Sequence, residues 1–296
     1  MAINNEDHFF SDKAQSAPKV SIGFPIRNGG QLLVRALRSV LDQTEQNFEI
    51  IISDNGSDDG SSEFLQAAAA ADGRIRYIRQ DPAIRAYDNF HFVLRQARGE
   101  YFMWVAHDDT RDVDYVARMI AALEKEPGAV LAFGDLCIIT LEDTIGQNKP
   151  FLFQTTNLGR LARLSKLSRL QCYYIYGLWR TDAIRRVPYA YCTWWPDLPM
   201  MLAAAVLGTF LYVPGTRFYY LETPKTNLQR VKAQDFTAQF NLIVGVFGLV
   251  RATYIACAGV GSSFLGIYCA GLVLVKQVIN LPGFLYRRFR RAFGAA

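Results

Sequence analysis

Two adjacent carboxylates, Asp108-Asp109, stand at the end of the apolar run Tyr101-Phe102-Met103-Trp104-Val105. A strand that delivers two acids at its carboxyl end can set one on a divalent cation and the other on a sugar hydroxyl or a phosphate-linked group. Mg²⁺ and Mn²⁺ take oxygen ligands, and Mg²⁺ is often held by one or two carboxylates together with substrate phosphates. By itself an Asp-Asp pair serves equally well as a solvated turn that caps the next helix. The segments upstream decide between these readings.

Two further loops follow apolar runs. The first is Pro25-Ile26-Arg27-Asn28-Gly29-Gly30 and the second Asp54-Asn55-Gly56-Ser57-Asp58-Asp59-Gly60. The second is acidic, which makes it a poor phosphate cradle, because phosphate wants backbone N–H groups and positive charge. It suits a base and a ribose, whose donors pair with carboxylates; an Asx turn capping a helix from Ser61 is the ordinary alternative. Arg27 or Arg85 could meet a diphosphate bidentately, or each could be a surface ion pair. The first strand is not followed by GxGxxG, and neither a GxxxxGK[ST] loop nor a GxSxG elbow occurs, which excludes P-loop enzymes and disfavours the common esterase layout.

The elements that must position these loops alternate. Val20–Phe24, Phe48–Ser53, Ile75–Ile78, Tyr101–Ala106 and Val130–Phe133 read as strands, the first ended by Pro25. Leu32, Leu33, Ala36, Leu37, Val40 and Leu41 recur at helical spacing. Helices are also expected at 61–71, 86–98, 113–126 and 200–207. The alternation predicts an α/β fold with a mostly parallel, doubly wound sheet, in which ligands bind at the carboxyl ends of the strands. Adjacent parallel strands would bring all three loops to one edge.

The chain has 296 residues, 51% apolar and 20% charged, with a net charge of +5. That suffices for one large domain, or one domain plus an appendage. Five widely spaced cysteines without a CxxC pair argue against zinc ribbons and redox dithiols and fit reduced thiols in a cytosolic setting. Residues 1–18 are polar and acidic, without the apolar core of a signal peptide, and are expected to be a mobile tail.

The order Pro25-x-Arg27-Asn28, then Asp54-Asn55-Gly56-Ser57-Asp58-Asp59, then Ala97-Arg98-Gly99-Glu100-Tyr101 running into His107-Asp108-Asp109, resembles glycosyltransferase family 2. The resemblance covers 19–135 strongly and 170–220 more loosely. It implies a GT-A (Rossmann-like) fold over 19–222 and an inverting, metal-dependent, hexosyltransferase-type enzyme using nucleotide sugars. It further implies that Asp54 hydrogen-bonds the nucleotide base, with Pro25, Arg27, Asn28 and Ser57 about the same pocket. Asp108 would touch the ribose or donor sugar, and Asp109 would ligate Mg²⁺ or Mn²⁺. The family's base often lies in a Glu-Asp motif before a helix. Trp195-Pro196-Asp197-Leu198 matches that position but has Pro196 for the first acid, so Asp197 is either the base or a helix N-cap. Phe218-Tyr219-Tyr220 stands where many members carry a basic or His-containing segment. Trp179, Trp194 and Trp195 are sugar-stacking or core residues, and His107 is expected to be structural. The implied partners are a nucleotide-diphosphate sugar and a glycan or lipid-linked acceptor for surface polysaccharide synthesis, with no nucleic acid. A nucleotidyltransferase or a non-catalytic membrane scaffold are the competing readings.

Beyond Thr223 the composition shifts. Ala252–Val275 is a run of 24 uncharged residues between Arg251 and Lys276, and four arginines fall in Arg287-Arg288-Phe289-Arg290-Arg291. The run is long enough to span hydrocarbon but contains four glycines. Region 223–296 is thus expected to be a helical appendage that lies on an anionic membrane surface, spans it, or packs on the domain or a second copy. The first option places the protein in the cytoplasm at the membrane face.

Overall fold

The computed structural model describes residues 17–140, 145–149, 154–168, 173–188, 197–222 and 237–275, with backbone alone for 145–149 and 237–247. Residues 1–16 of the expected N-terminal tail, Trp194, Trp195, Pro196 and the arginine cluster lie outside the described residues. Strands β1 (Val20–Ile26), β2 (Phe48–Asp54), β3 (Ile75–Arg79) and β4 (Tyr101–Trp104) alternate with helices α1 (Leu32–Leu41), α2 (Ser61–Ala71) and α3 (Ala86–Gln96). There follow β5 (Thr110–Arg111), α4 (Tyr115–Lys125), β6 (Ala129–Ile139), β7 (Ile145–Lys149), α5 (Arg160–Leu167), a 3₁₀ turn at Tyr173–Tyr176, β8 (Leu178–Arg180), α6 (Thr181–Arg185), α7 (Asp197–Leu207), β9 (Thr209–Leu221) and α8 (Thr237–Val260). A last helix, α9, covers 263–275.

Nine strands among the described residues make one sheet in the order β3-β2-β1-β4-β8-β6-β9-β5, with β7 on β6. The β3-β2-β1-β4 half is parallel; β8 is antiparallel to both β4 and β6, and β5 to β9. This is the expected α/β architecture. Helices cover both faces, so the central strands are buried along their length and mainly apolar. Every residue of β2 is buried. Each of Ile50, Ile51 and Ile52, with no exposed surface, contributes about 1.5–3 kcal/mol by burial. Of the two acids in β2, Glu49 lies near its start and is compensated there: it accepts from Ser21 Oγ at 2.6 Å, the Arg98 N–H at 2.9 Å and Arg98 Nη2 at 2.7 Å. That cluster ties the far end of the sheet, opposite the loops.

Boundaries differ from the sequence reading in instructive ways. β1 continues through Pro25 to Ile26, because its pairing with β4 ends at Gly23↔Trp104 and asks no ladder bond of Pro25 on that side. β6 is far longer than Val130–Phe133, and it pairs in parallel with β9, a strand that the composition of 209–221 did not announce. The uncharged run is not one helix. It breaks at Gly261-Ser262, between α8 and α9. Leu249, Ala252, Ala256 and Cys257 of α8 share a core with Met201, Leu202 and Ala205 of α7, and Leu265, Cys269 and Val273 of α9 join it. Among the described residues no helix is long and apolar enough to cross a membrane.

Candidate active site

The order β2-β1-β4 brings the three loops together at the strands' carboxyl ends. The first two are stitched directly. The Asn28 N–H donates to Ser57 Oγ at 2.9 Å, Asn28 Nδ2 to Asp58 Oδ1 at 2.9 Å, and the Asp58 N–H to Asn28 Oδ1 at 3.0 Å. Gly29 and Gly30 donate to Ser61 Oγ and Asp59 Oδ2, each at 3.0 Å. Asn28 holds φ 54°, a left-handed backbone that Asn tolerates better than most residues. The third loop abuts the first: a methyl group on Gly29 would lie 3.4 Å from His107 Cβ.

Asp54 supports this arrangement from beneath. Its carboxylate has no exposed surface. It accepts from the Ser57 N–H at 2.9 Å, Tyr77 OH at 2.6 Å, Arg79 Nη1 at 3.0 Å and the Ser62 hydroxyl. Burial would raise its pKa; the hydrogen bonds from Ser57, Ser62 and Tyr77 outweigh it and hold the carboxyl below the ordinary value. Four donors occupy the lone pairs that the sequence reading reserved for a nucleotide base, so Asp54 braces the loop, as in the Asx-turn alternative. Ser57 is likewise a brace, and Asn55 clamps the next loop by donating to the Ile84 carbonyl and accepting its N–H, both at 2.7 Å. Pro25 is buried at the end of β1. Arg27 is exposed, with no ion pair among the described residues, whereas Arg85, also exposed, pairs with Asp88 at 2.6 Å.

Asp109 is buried without exposed surface. Its Oδ1 accepts the Leu221 N–H at 3.1 Å, while its buried Oδ2 has no hydrogen-bond partner. Burial, then the charge of Asp108, pushes its pKa up to about 7; the Leu221 amide, Arg111 and Arg35 pull the other way. Asp108 is half-buried beside it. Arg111, 4% exposed, has three guanidinium nitrogens without hydrogen bonds and lies between the rings of Tyr115 and Phe218, 5.9 and 5.5 Å from their centroids. Its pKa is lowered by burial against the charges of Tyr115 and Asp109.

Asp197 is the first residue of α7, half-buried. Burial pushes its pKa up to about 6. Its relation to the loops runs through Tyr176. The Tyr176 phenol is raised well above its usual value, first by burial and then by the charges of Asp109, Asp197 and Asp108. The phenol thus lies within electrostatic reach of both the acid pair and the acid of α7. The ring stacks on Phe218 with centroids 5.6 Å apart, and Tyr173 packs on Tyr220 at 4.8 Å, building an aromatic wall beside the acids. Sequence reasoning assigned no role to Tyr176, and it missed Arg111. Position i+2 from Asp109 on an extended segment, hence the same face, was the available signal for Arg111. Trp179 belongs to the core: it has no exposed surface, donates to the Ile175 carbonyl at 2.8 Å and packs on Trp104 and Phe210.

Among the described residues no cluster of three or more His, Cys, Asp or Glu side chains could by itself hold a metal. A site completed by a ligand's phosphates needs fewer, and the unpartnered Oδ2 of Asp109 beside a second carboxylate fits such a cation.

Comparison with known proteins agrees with this geometry. Glycosyltransferase GlyG of Streptococcus pneumoniae is 38% identical over 90 residues, covering 30% of this chain and 30% of its own length. The putative glycosyltransferase EpsE of Bacillus subtilis is 32% identical over 114 residues, covering 37% and 40%. The chain therefore spans well under two thirds of these curated relatives. Among solved structures, S. aureus TarS 1–349 has a TM-score of 0.58 at 13% identity, covering 90% of this chain and 92% of that one. GalNAc-T7, solved with UDP, GalNAc and Mn²⁺, has a TM-score of 0.56 at 13% identity, covering 71% and 45%. These two likenesses show the GT-A fold. The family model for glycosyl transferase family 2 matches residues 21–168, half of the chain. With its three loops in that fold and in that order, the chain belongs to glycosyl transferase family 2.

Proposed function

We propose that the chain moves a sugar from a nucleotide-diphosphate donor to an acceptor hydroxyl with inversion. The observation that carries the reading is the buried Asp109 beside Asp108 at the carboxyl end of β4, its Oδ2 without a hydrogen-bond partner. An inverting transfer needs a base on the acceptor side and a stabilised leaving group on the donor side. TarS structures holding UDP-GlcNAc and UDP support a nucleotide-sugar donor, and Mn²⁺ in the GalNAc-T7 structure supports a divalent cation.

In this reading Asp109, with Asp108 beside it, holds Mg²⁺ or Mn²⁺, which supplies Lewis-acid stabilisation of the departing diphosphate. Asp108 also meets the ribose or sugar hydroxyls. Pro25, Arg27 and Asn28 line the nucleotide side, where Arg27 is the cation available to phosphate. Asp54 and Ser57 keep that loop in shape, and Arg85 is the second cation of the same rim. Asp197 takes the proton from the acceptor hydroxyl; a carboxylate with a raised pKa is a stronger base than a solvated one. The acceptor is a glycan or lipid-linked oligosaccharide at the cytoplasmic face of the membrane, and the catalytic unit is 19–222.

The test is a thermal-shift screen of the full chain with UDP, GDP and dTDP, each with and without Mn²⁺. A Tm increase with one nucleotide that needs Mn²⁺ is expected. No shift with any of them would sink the reading.

A further inference from the structure

The last sixty residues of the sequence, 237–296, contain six basic residues and no acid, while the preceding 236 balance to −1. The whole excess of positive charge therefore sits in the part that forms α8 and α9 and continues past them. Within it, α9 is apolar on two faces. Leu265, Cys269 and Val273 turn inward onto the core shared with α7. Phe264, Ile267, Leu274 and Val275 turn outward, 65, 65, 43 and 55% exposed. Their positions i, i+3, i+10 and i+11 form one stripe along the helix. On α8, exposed Tyr254 and Ile255 lie one turn from exposed Arg251. Of nine large apolar side chains that are exposed among the described residues, six belong to these two helices.

We infer that the outer face of α8 and α9, centred on Phe264 and Ile267, docks on an anionic lipid surface. Contiguous exposed apolar side chains mark interaction sites. An apolar face on a segment whose charges are all positive in the sequence suits lipid acyl chains beneath anionic headgroups. Lys276 follows the stripe at once, and Arg287, Arg288, Arg290 and Arg291 lie within sixteen residues of Val275 in the sequence. A second copy of this chain is a poorer occupant. A two-fold interface sets the same patch against itself, and here it would bring together two copies of a segment, 237–296, whose sequence holds six basic residues and no acid. The inference deepens the membrane placement proposed above and is independent of the transferase chemistry.

The full chain should cosediment with vesicles of phosphatidylcholine and phosphatidylglycerol, and much less with phosphatidylcholine alone or at high salt. The double variant Phe264→Asp/Ile267→Asp should lower the partition coefficient at least about 10-fold. Because both side chains are mostly exposed, it should keep the wild-type Tm. Unchanged partition of the variant, or a wild type that stays in the supernatant with anionic vesicles, overturns the inference. So does a wild-type dimer in sedimentation velocity that the double substitution dissolves. No donor or acceptor is present in these measurements, so an inactive chain that still binds vesicles would sink the transferase reading alone.

Discussion

The Oδ1 of Asp109 accepts the backbone N–H of Leu221 at 3.1 Å, across 112 positions of sequence. This single bond joins the third loop to the end of β9, leaves Oδ2 as the oxygen available to a cation, and fixes which way the carboxylate points. Asp109→Asn should keep the fold, since an amide oxygen can still accept from Leu221. It should weaken Mn²⁺-dependent nucleotide binding by at least about 10-fold, the loss seen for even an outer partner of a metal ligand. Calorimetry of nucleoside diphosphate binding with Mn²⁺ and with EDTA measures it. Equal affinity for the variant and the wild type would remove Asp109 from the metal site.

Why so much of this was readable in the sequence, and some was not, is a matter of range. β1, β2 and β4 announce themselves because a strand covered on both faces must carry a run of apolar residues, as Ile50-Ile51-Ile52 does in β2. β9 does not, because Pro214-Gly215 sits in its middle. The ladder with β6 jumps there, from Phe133↔Tyr212 to Asp135↔Arg217, and the irregularity absorbs residues that otherwise read as a turn. The acid pair was legible as an end-of-strand motif. The role of Asp54 was not, since two of its four donors, Tyr77 and Arg79, arrive from β3 through the pairing Asp54↔Arg79. No local pattern reports that a carboxylate is already saturated by a neighbouring strand.

That saturation makes a stability prediction. Asp54→Ala strands the Ser57 N–H, Tyr77 OH and Arg79 at once, and losing one partner of a buried, hydrogen-bonded charge costs about 3–5 kcal/mol. Arg79 is 42% exposed and can turn to water, so a loss of about 2–4 kcal/mol is expected in urea unfolding. A variant with wild-type stability and reduced nucleotide affinity would instead restore Asp54 to the base pocket.

Asp197 separates function from stability by sign. Its folded pKa of about 6 lies above the ordinary carboxylate value of 3.8. The folded state therefore binds the proton more tightly, and this group's contribution to stability is lost as pH rises from about 4 to about 6. Above that window the ionised carboxylate is a burden on the fold. Asp197→Asn should accordingly raise Tm at pH 7.5 and leave it nearly unchanged at pH 4. As the general base, Asp197 must be ionised. Wild-type kcat/KM should climb through about pH 6, and the Asn variant should lose about 10²–10⁴-fold in kcat together with that limb of the profile. A variant that gains stability and keeps its turnover would leave Asp197 as a helix-capping residue only.

A packing prediction tests the irregular β6–β9 ladder. A methyl group on Gly134 would come 2.3 Å from the Thr216 carbonyl oxygen and 2.9 Å from the Tyr115 ring. Backbone cannot withdraw there without opening the ladder that carries Phe218 and Leu221, so Gly134→Ala should cost about 1–3 kcal/mol in urea unfolding. The strain should also reach the site, as a weaker Mn²⁺ response than wild type. An unchanged midpoint would mean that β9 shifts freely and does not fix the Asp109 carboxylate.

Tyr176 lies within electrostatic reach of both halves of the site. Tyr176→Phe keeps the ring on Phe218 and so should leave Tm near the wild-type value, because the stack, not the hydroxyl, supplies the packing. The hydroxyl is the only part removed, and it is the part that senses Asp108, Asp109 and Asp197. A loss in kcat/KM of up to about 10-fold is expected, with the acid limb of the pH profile displaced, since removing the phenol changes the electrostatic field at Asp197. Tyr176→Ala, which also removes the stack, should in addition lower Tm. If the Phe variant matches wild type in rate and in pH profile while the Ala variant is merely less stable, Tyr176 is a packing residue, and the link between the acid pair and α7 must run through other side chains.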